Sequence, residues 1–119
     1  MSILIVDDTI FMRSTIKKYL EESDIGVVGE ASNGVEAVEK YKELNPSVVT
    51  MDITMPHMGG VEAIKRIVEY DSDANIIVCS SMGQEDVVMN AIKAGAKTFI
   101  VKPFEKSRLL DEINRVINV

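Results

Sequence analysis

Four stretches of the chain place chemistry-bearing side chains directly behind short apolar runs. Ile3-Leu4-Ile5-Val6 leads into Asp7-Asp8, and Val48-Val49-Thr50-Met51 into Asp52. Ile76-Ile77-Val78-Cys79 leads into Ser80-Ser81, and Phe99-Ile100-Val101 into Lys102-Pro103. Three carboxylates gathered at one point cannot all stay ionised without counter-charge, and one lysine is too little. A hard divalent cation meets that need. Mg²⁺ takes one or two carboxylates and keeps its other positions for water and phosphate oxygens. Those oxygens want further donors, which the Lys102 ammonium and the Ser80 hydroxyl could provide. A carboxylate can itself attack phosphorus and become an aspartyl-phosphate. Phosphoryl transfer asks for in-line placement and charge neutralisation more than for covalent machinery. These residue types therefore suggest a Mg²⁺-dependent phosphoryl acceptor; spacing alone does not say which aspartate is attacked.

For these residues to meet, the elements that carry them must share one sheet edge. The apolar runs, with Val27-Val28 as a fifth, are β-branched and apolar at successive positions, as in strands covered on both faces of a parallel sheet. Between them lie helical stripes: Met12, Ile16, Tyr19 and Leu20; Ala37, Val38, Tyr41 and Leu44; Val61, Ile64, Ile67 and Val68; Val88, Ala91 and Ile92; Leu109, Ile113, Val116 and Ile117. Asn45-Pro46 and Gly95 read as helix stops, and Asn33-Gly34 and Met58-Gly59-Gly60 as loops. Five strand–helix repeats, (βα)₅, imply right-handed crossovers and a doubly wound α/β sheet. Ligands of such sheets sit outside the carboxyl ends of the strands, where Asp7, Asp8, Asp52, Ser80 and Lys102 fall.

Composition narrows the function classes. The 119 residues carry 13 basic and 19 acidic side chains, a net charge of −6, which disfavours nucleic acid as a direct partner. One cysteine, Cys79, and one histidine, His57, exclude a disulfide framework and a Cys/His zinc cage. No apolar run approaches the roughly 20 residues that span a bilayer, and the N-terminus lacks the features of a secretory signal. The expectation is a cytoplasmic, monomeric domain without membrane insertion. His57 reads as an exposed loop residue, Cys79 as a small buried one, and the seven methionines mostly as core filler.

Four motifs, each at a strand end, carry a resemblance. They are Ile3-Leu4-Ile5-Val6-Asp7-Asp8, the run Met51-Asp52-Ile53-Thr54-Met55-Pro56-His57-Met58-Gly59-Gly60, Cys79-Ser80-Ser81-Met82-Gly83, and Lys102-Pro103-Phe104. In this order they resemble the receiver domain of bacterial two-component response regulators, across essentially the whole chain, and in wording the stand-alone chemotaxis members. The resemblance implies a flavodoxin-like three-layer sandwich with strand order 2-1-3-4-5, as one receiver domain over residues 1–119 with no output domain. It implies that Asp52 is the phosphorylated nucleophile. Asp8 and Asp52 would bind Mg²⁺ directly, Asp7 largely through water, and the Thr54 backbone carbonyl would complete the protein ligands. Lys102 would contact a phosphoryl oxygen, Ser80 would move toward the phosphoryl group, and Phe99 would be the switch aromatic. Lys102-Pro103 would be a cis peptide.

The implied partners are a chemotaxis-type histidine kinase and a flagellar motor switch protein, with room for a phosphatase. Phe99 stands where some members carry tyrosine, so a hydroxyl contact is lost there. Ser80 stands where many carry threonine, a mild change because both donate a hydrogen bond. Three other readings compete. A haloacid-dehalogenase-like phosphatase needs a second acid two residues after its nucleophile, where this chain has Thr54. A flavodoxin-like cofactor binder needs a phosphate loop after the first strand, where Asp7-Asp8 would repel a phosphate. A single-domain phosphorelay intermediate shares the chemistry but not the pathway.

Overall fold

Alternation along each strand decides which side chains face which layer. In the computed structural model, which describes residues 1–118, β1 (Ser2–Val6) sends Ile3 and Ile5 to one side of the sheet and Leu4 and Val6 to the other. The sheet continues with β2 (Gly26–Ala31), β3 (Val48–Met51), β4 (Ile76–Ser80) and β5 (Thr98–Val101). Five helices alternate with them: α1 (Ile10–Leu20), α2 (Gly34–Leu44), α3 (Gly60–Tyr70), α4 (Glu85–Ala94) and α5 (Lys106–Ile117). All four strand pairings are parallel, and the order is β2-β1-β3-β4-β5.

Two cores result, one on each face. Leu4, Val6, Val49, Met51, Ile76 and Val78 pack with Ala37 and Tyr41 of α2, Ala63, Ile64 and Ile67 of α3, and Ala91 of α4. Ile3, Ile5, Val48, Ile77, Cys79 and Ile100 pack with Ile16 and Leu20 of α1 and Leu109 and Ile113 of α5. Thr50 shares the parity of Val48, and its hydroxyl is buried with no hydrogen-bond partner among the described residues. A polar clasp also fastens α5 to β5. The buried Glu112 carboxylate accepts from Thr98 Oγ1 at 2.8 Å, Arg108 Nη1 at 2.6 Å and Arg115 Nη2 at 2.5 Å. Burial pushes the Glu112 carboxyl up, but Arg115, Thr98 and Arg108 outweigh it and hold the group below its ordinary range.

The structure revises several expectations. Val27 and Val28 are not covered on both faces: β2 is an edge strand, and both side chains are exposed. Gly34 and Gly60 are not loop residues but the first residues of α2 and α3. The Asn33 carboxamide accepts from Glu36 N at 2.9 Å and so starts α2 one residue earlier than the Asn-Gly pair suggests. Gly60 lies against the Asp52 carbonyl, where any Cβ would collide. Of the seven methionines Met51 is buried and Met12, Met55 and Met58 pack against the cores as core filler should, while Met1, Met82 and Met89 are exposed. The stops stand where the sequence puts them. Asn45 adopts a left-handed φ of 45° as the cap of α2, and Gly95 one of 126° after α4. Among the described residues no helix is long and apolar enough to cross a membrane.

Candidate functional site

The hydrogen-bond ladder of the sheet runs one rung past the strands, and that extra rung carries the polar residues. Asp7 N donates to Ala31 O at 3.0 Å, Asp52 N to Val6 O at 3.0 Å, and Lys102 N to Ser80 O at 2.9 Å. Backbone held to a buried sheet thus brings residues distant in sequence to one edge. One carboxylate oxygen from each of Asp7, Asp8 and Asp52 lies within 4.8 Å of the others. Lys102 Nζ sits 2.6 Å from Asp7 Oδ2 and 3.8 Å from Asp52 Oδ1. Asp7 and Asp52 are buried and Asp8 is exposed, so the notch opens to solvent on the Asp8 side.

The three carboxylates are not equivalent. Asp7 is satisfied by protein donors: Oδ1 accepts from Thr9 N at 2.9 Å and Thr9 Oγ1 at 3.0 Å, and Oδ2 from Lys102. The same Thr9 hydroxyl accepts from Met12 N at 3.2 Å and caps α1. Asp52 makes no hydrogen bond to another side chain among the described residues. Burial pushes its carboxyl up to about 6, with Lys102 pulling down and Asp7 and Asp8 pushing further up. Clustered hard oxygen donors with one member open to water fit a small divalent cation such as Mg²⁺.

The remaining residues singled out in the sequence lie around this notch or in the core. Ser80 ends β4, buried, with its Oγ accepting from Met82 N at 3.1 Å. Thr54 is exposed two residues past Asp52, and its hydroxyl donates to Met82 Sδ at 3.4 Å, which links the loops after β3 and β4. Phe99 is half-buried on β5 opposite Val78, packed against the α2–α3–α4 core. Lys102-Pro103 is cis. His57 is exposed with a φ of 67°, and Cys79 is buried with its thiol pushed up to about 12 by burial, which leaves it inert.

Sequence reasoning missed two side chains beside the notch. Thr9 links Asp7 to α1, and its signal was present, since a threonine ahead of an amphipathic stretch is an N-cap candidate. Arg13 donates from Nη1 to the Asp7 carbonyl at 2.6 Å and from Nε to Glu30 Oε1 at 3.0 Å. A lone arginine on a helix gives no such signal.

Residues 3–114 match the model of the response regulator receiver domain family. The chain belongs to that family. This receiver is 59% identical over 114 residues to the chemotaxis protein CheY of Thermotoga maritima, a match covering 96% of this chain and 95% of that protein. It is 57% identical over 116 residues to CheY of Bacillus subtilis, covering 98% and 97%. The crystal structure of the CheX-CheY-BeF3-Mg+2 complex from Borrelia burgdorferi superposes with a TM-score of 0.93 at 38% identity, over 97% of this chain and 87% of that one. The response regulator domain of Thermotoga maritima CheB superposes at 0.92, also at 38% identity, over 100% and 97%. The receiver is therefore a close relative of CheY chemotaxis regulators, and its fold is theirs.

Proposed function

We propose that this receiver is a phosphorylation-activated chemotaxis regulator. It takes a phosphoryl group from a chemotaxis-type histidine kinase onto Asp52, then presents an altered α4–β5–α5 surface to a flagellar motor switch protein. The observation that carries the reading is the contrast within the notch. Asp52 is buried and, among the described residues, makes no side-chain hydrogen bond, whereas Asp7 accepts from three protein donors and Asp8 faces water. An aspartate oxygen of Asp52 attacks phosphorus as the bond to the donor's leaving nitrogen or oxygen breaks, and the proton needed by the leaving group comes from solvent. Asp8, Asp52 and the Thr54 backbone carbonyl would hold Mg²⁺, with Asp7 acting through water because its own oxygens are taken. Bound Mg²⁺ would supply charge neutralisation for the carboxylates and the phosphoryl oxygens. Lys102, already 3.8 Å from Asp52 Oδ1, contacts a phosphoryl oxygen. The Ser80 oxygen accepts from Met82 N, which leaves its hydroxyl hydrogen available for a phosphoryl oxygen.

Phosphorylation takes the charge at Asp52 from −1 to about −2 and adds strong acceptors. Ser80 drawn toward the new group vacates space for Phe99 to rotate inward, and the surface of α4, β5 and α5 follows. This is a population shift between two packings, for which a few kcal/mol of differential stabilisation suffices. The protein acts as a cytoplasmic signalling phosphoacceptor and not as an enzyme with turnover on a separate substrate. The Mg²⁺- and BeF3-containing Borrelia complex and the chemotaxis names of its relatives support this reading. Incubation with acetyl phosphate and Mg²⁺, read by intact mass, tests it. One acid-stable, base-labile phosphate is expected, lost in Asp52→Asn and in excess EDTA. No phosphate, or one that survives Asp52→Asn, overturns it; pull-down against kinase and motor switch fragments then tests the pathway.

A further inference from the structure

We propose that Arg13 is a positioning residue for the cation-binding pair, acting through the peptide that joins Asp7 to Asp8. The inference rests on the cation site proposed above. The Asp7 carbonyl and the Asp8 N–H belong to one planar unit, so whatever fixes that carbonyl fixes where the Asp8 backbone begins. Arg13 Nη1 holds it at 2.6 Å. The guanidinium is itself held, because its Nε donates to Glu30 Oε1 at 3.0 Å and its donors form a rigid fork. Lys17 Nζ holds the other oxygen of Glu30 at 2.9 Å, so the carboxylate cannot swing away. The Arg13 side chain is only 15% exposed, wedged between α1 and the edge strand β2.

Asp8 needs this support more than its neighbours do. The Asp7 carboxylate has three protein donors, and Asp52 follows directly on the buried strand β3, but the Asp8 side chain is exposed. Arg13 and Lys17 share the Glu30 carboxylate, which offsets one of their two charges; what sets Arg13 apart is its hydrogen bond to the Asp7 carbonyl.

The test separates geometry from charge. Arg13→Met combined with Glu30→Gln removes one positive and one negative charge and leaves the local sum unchanged. Mg²⁺ binding to the full chain is measured by calorimetry, and phosphorylation by acetyl phosphate is followed across a Mg²⁺ series. The expected result is a Kd for Mg²⁺ raised about ten-fold, as for loss of other outer-shell partners. The phosphorylation rate should fall at low Mg²⁺ and return to that of the unaltered protein at saturation, a split that general loosening of the fold would not give. A Kd within about two-fold of the unaltered protein overturns the proposal. Should the double variant not fold, Arg13→Lys keeps the charge, loses the fork and gives the same reading: a raised Kd supports, an unchanged one overturns. Absence of Mg²⁺ binding by the unaltered protein would instead overturn the cation site itself.

Discussion

Two buried carboxylates in this molecule stand in opposite surroundings. Glu112 meets two guanidiniums and a hydroxyl, and its carboxyl is held low. Asp52 meets two further carboxylates and a lysine already committed to Asp7, and its carboxyl is pushed up to about 6. The first cluster has more positive than negative groups and every carboxylate oxygen is used. The second has three acids to one ammonium. A saturated buried acid fastens an element in place; an unsaturated one stores unfavourable charge that a cation can relieve. The imbalance, more than the presence of acids, distinguishes a site from a clasp.

The contrast predicts substitutions of opposite sign. Glu112→Ala should destabilise the fold by about 2 kcal/mol, since it takes away the acceptor of the buried Thr98 O–H, whose oxygen still accepts from Arg115 Nη2 at 2.9 Å, and leaves both arginines largely solvated. Asp52→Asn should stabilise it by about 2 kcal/mol at pH 7 in EDTA, because a buried charge only weakly offset by Lys102 at 3.8 Å is removed. Urea unfolding measures both; two effects of the same sign would break the comparison.

Their pH dependence should differ as well. Asp52 has an ordinary pKa of 3.8, raised to about 6 in the fold. Between these values only the folded state keeps the proton, so its stability falls as pH rises through this window. The advantage of Asp52→Asn should therefore vanish near pH 4 and be complete above about 6. Glu112 is lowered from 4.5, so its contribution is present above that value and is lost as pH falls below it. Unfolding of each variant against the unaltered protein across pH 3–8 checks both directions. The smallest effect concerns Thr50, whose hydroxyl, without a partner among the described residues, sits between these two regimes as a buried polar group without charge. Thr50→Val should raise stability by about 1 kcal/mol, with no dependence on pH.

Much of the architecture was legible because the strands are nearly unbroken β-branched runs and the helices carry clear apolar stripes. Once the alternation is read, the carboxyl-end rule gathers Asp7, Asp8, Asp52, Ser80 and Lys102 without any knowledge of distances. What stayed hidden depends on where polar side chains reach. Arg108, Glu112 and Arg115 are spaced like solvated helix residues, and nothing in that spacing shows that Thr98 faces them across a strand–helix gap. Arg13 likewise reaches back to a backbone carbonyl, which has no sequence mark. The edge position of β2 was obscured because Val27-Val28 looks as apolar as a central strand. The starts of α2 and α3 shifted because glycine, read as loop, here permits close approach.

The Thr9 hydroxyl receives the Met12 amide and gives its hydrogen to Asp7, so one oxygen, beside the Thr9 amide and the Arg13 guanidinium, ties the opening turn of α1 to the acidic notch. The Asp7 carboxylate thereby joins the first turn of α1 on one oxygen to Lys102, behind β5, on the other, so the notch is also a brace between elements from opposite ends of the chain's sequence.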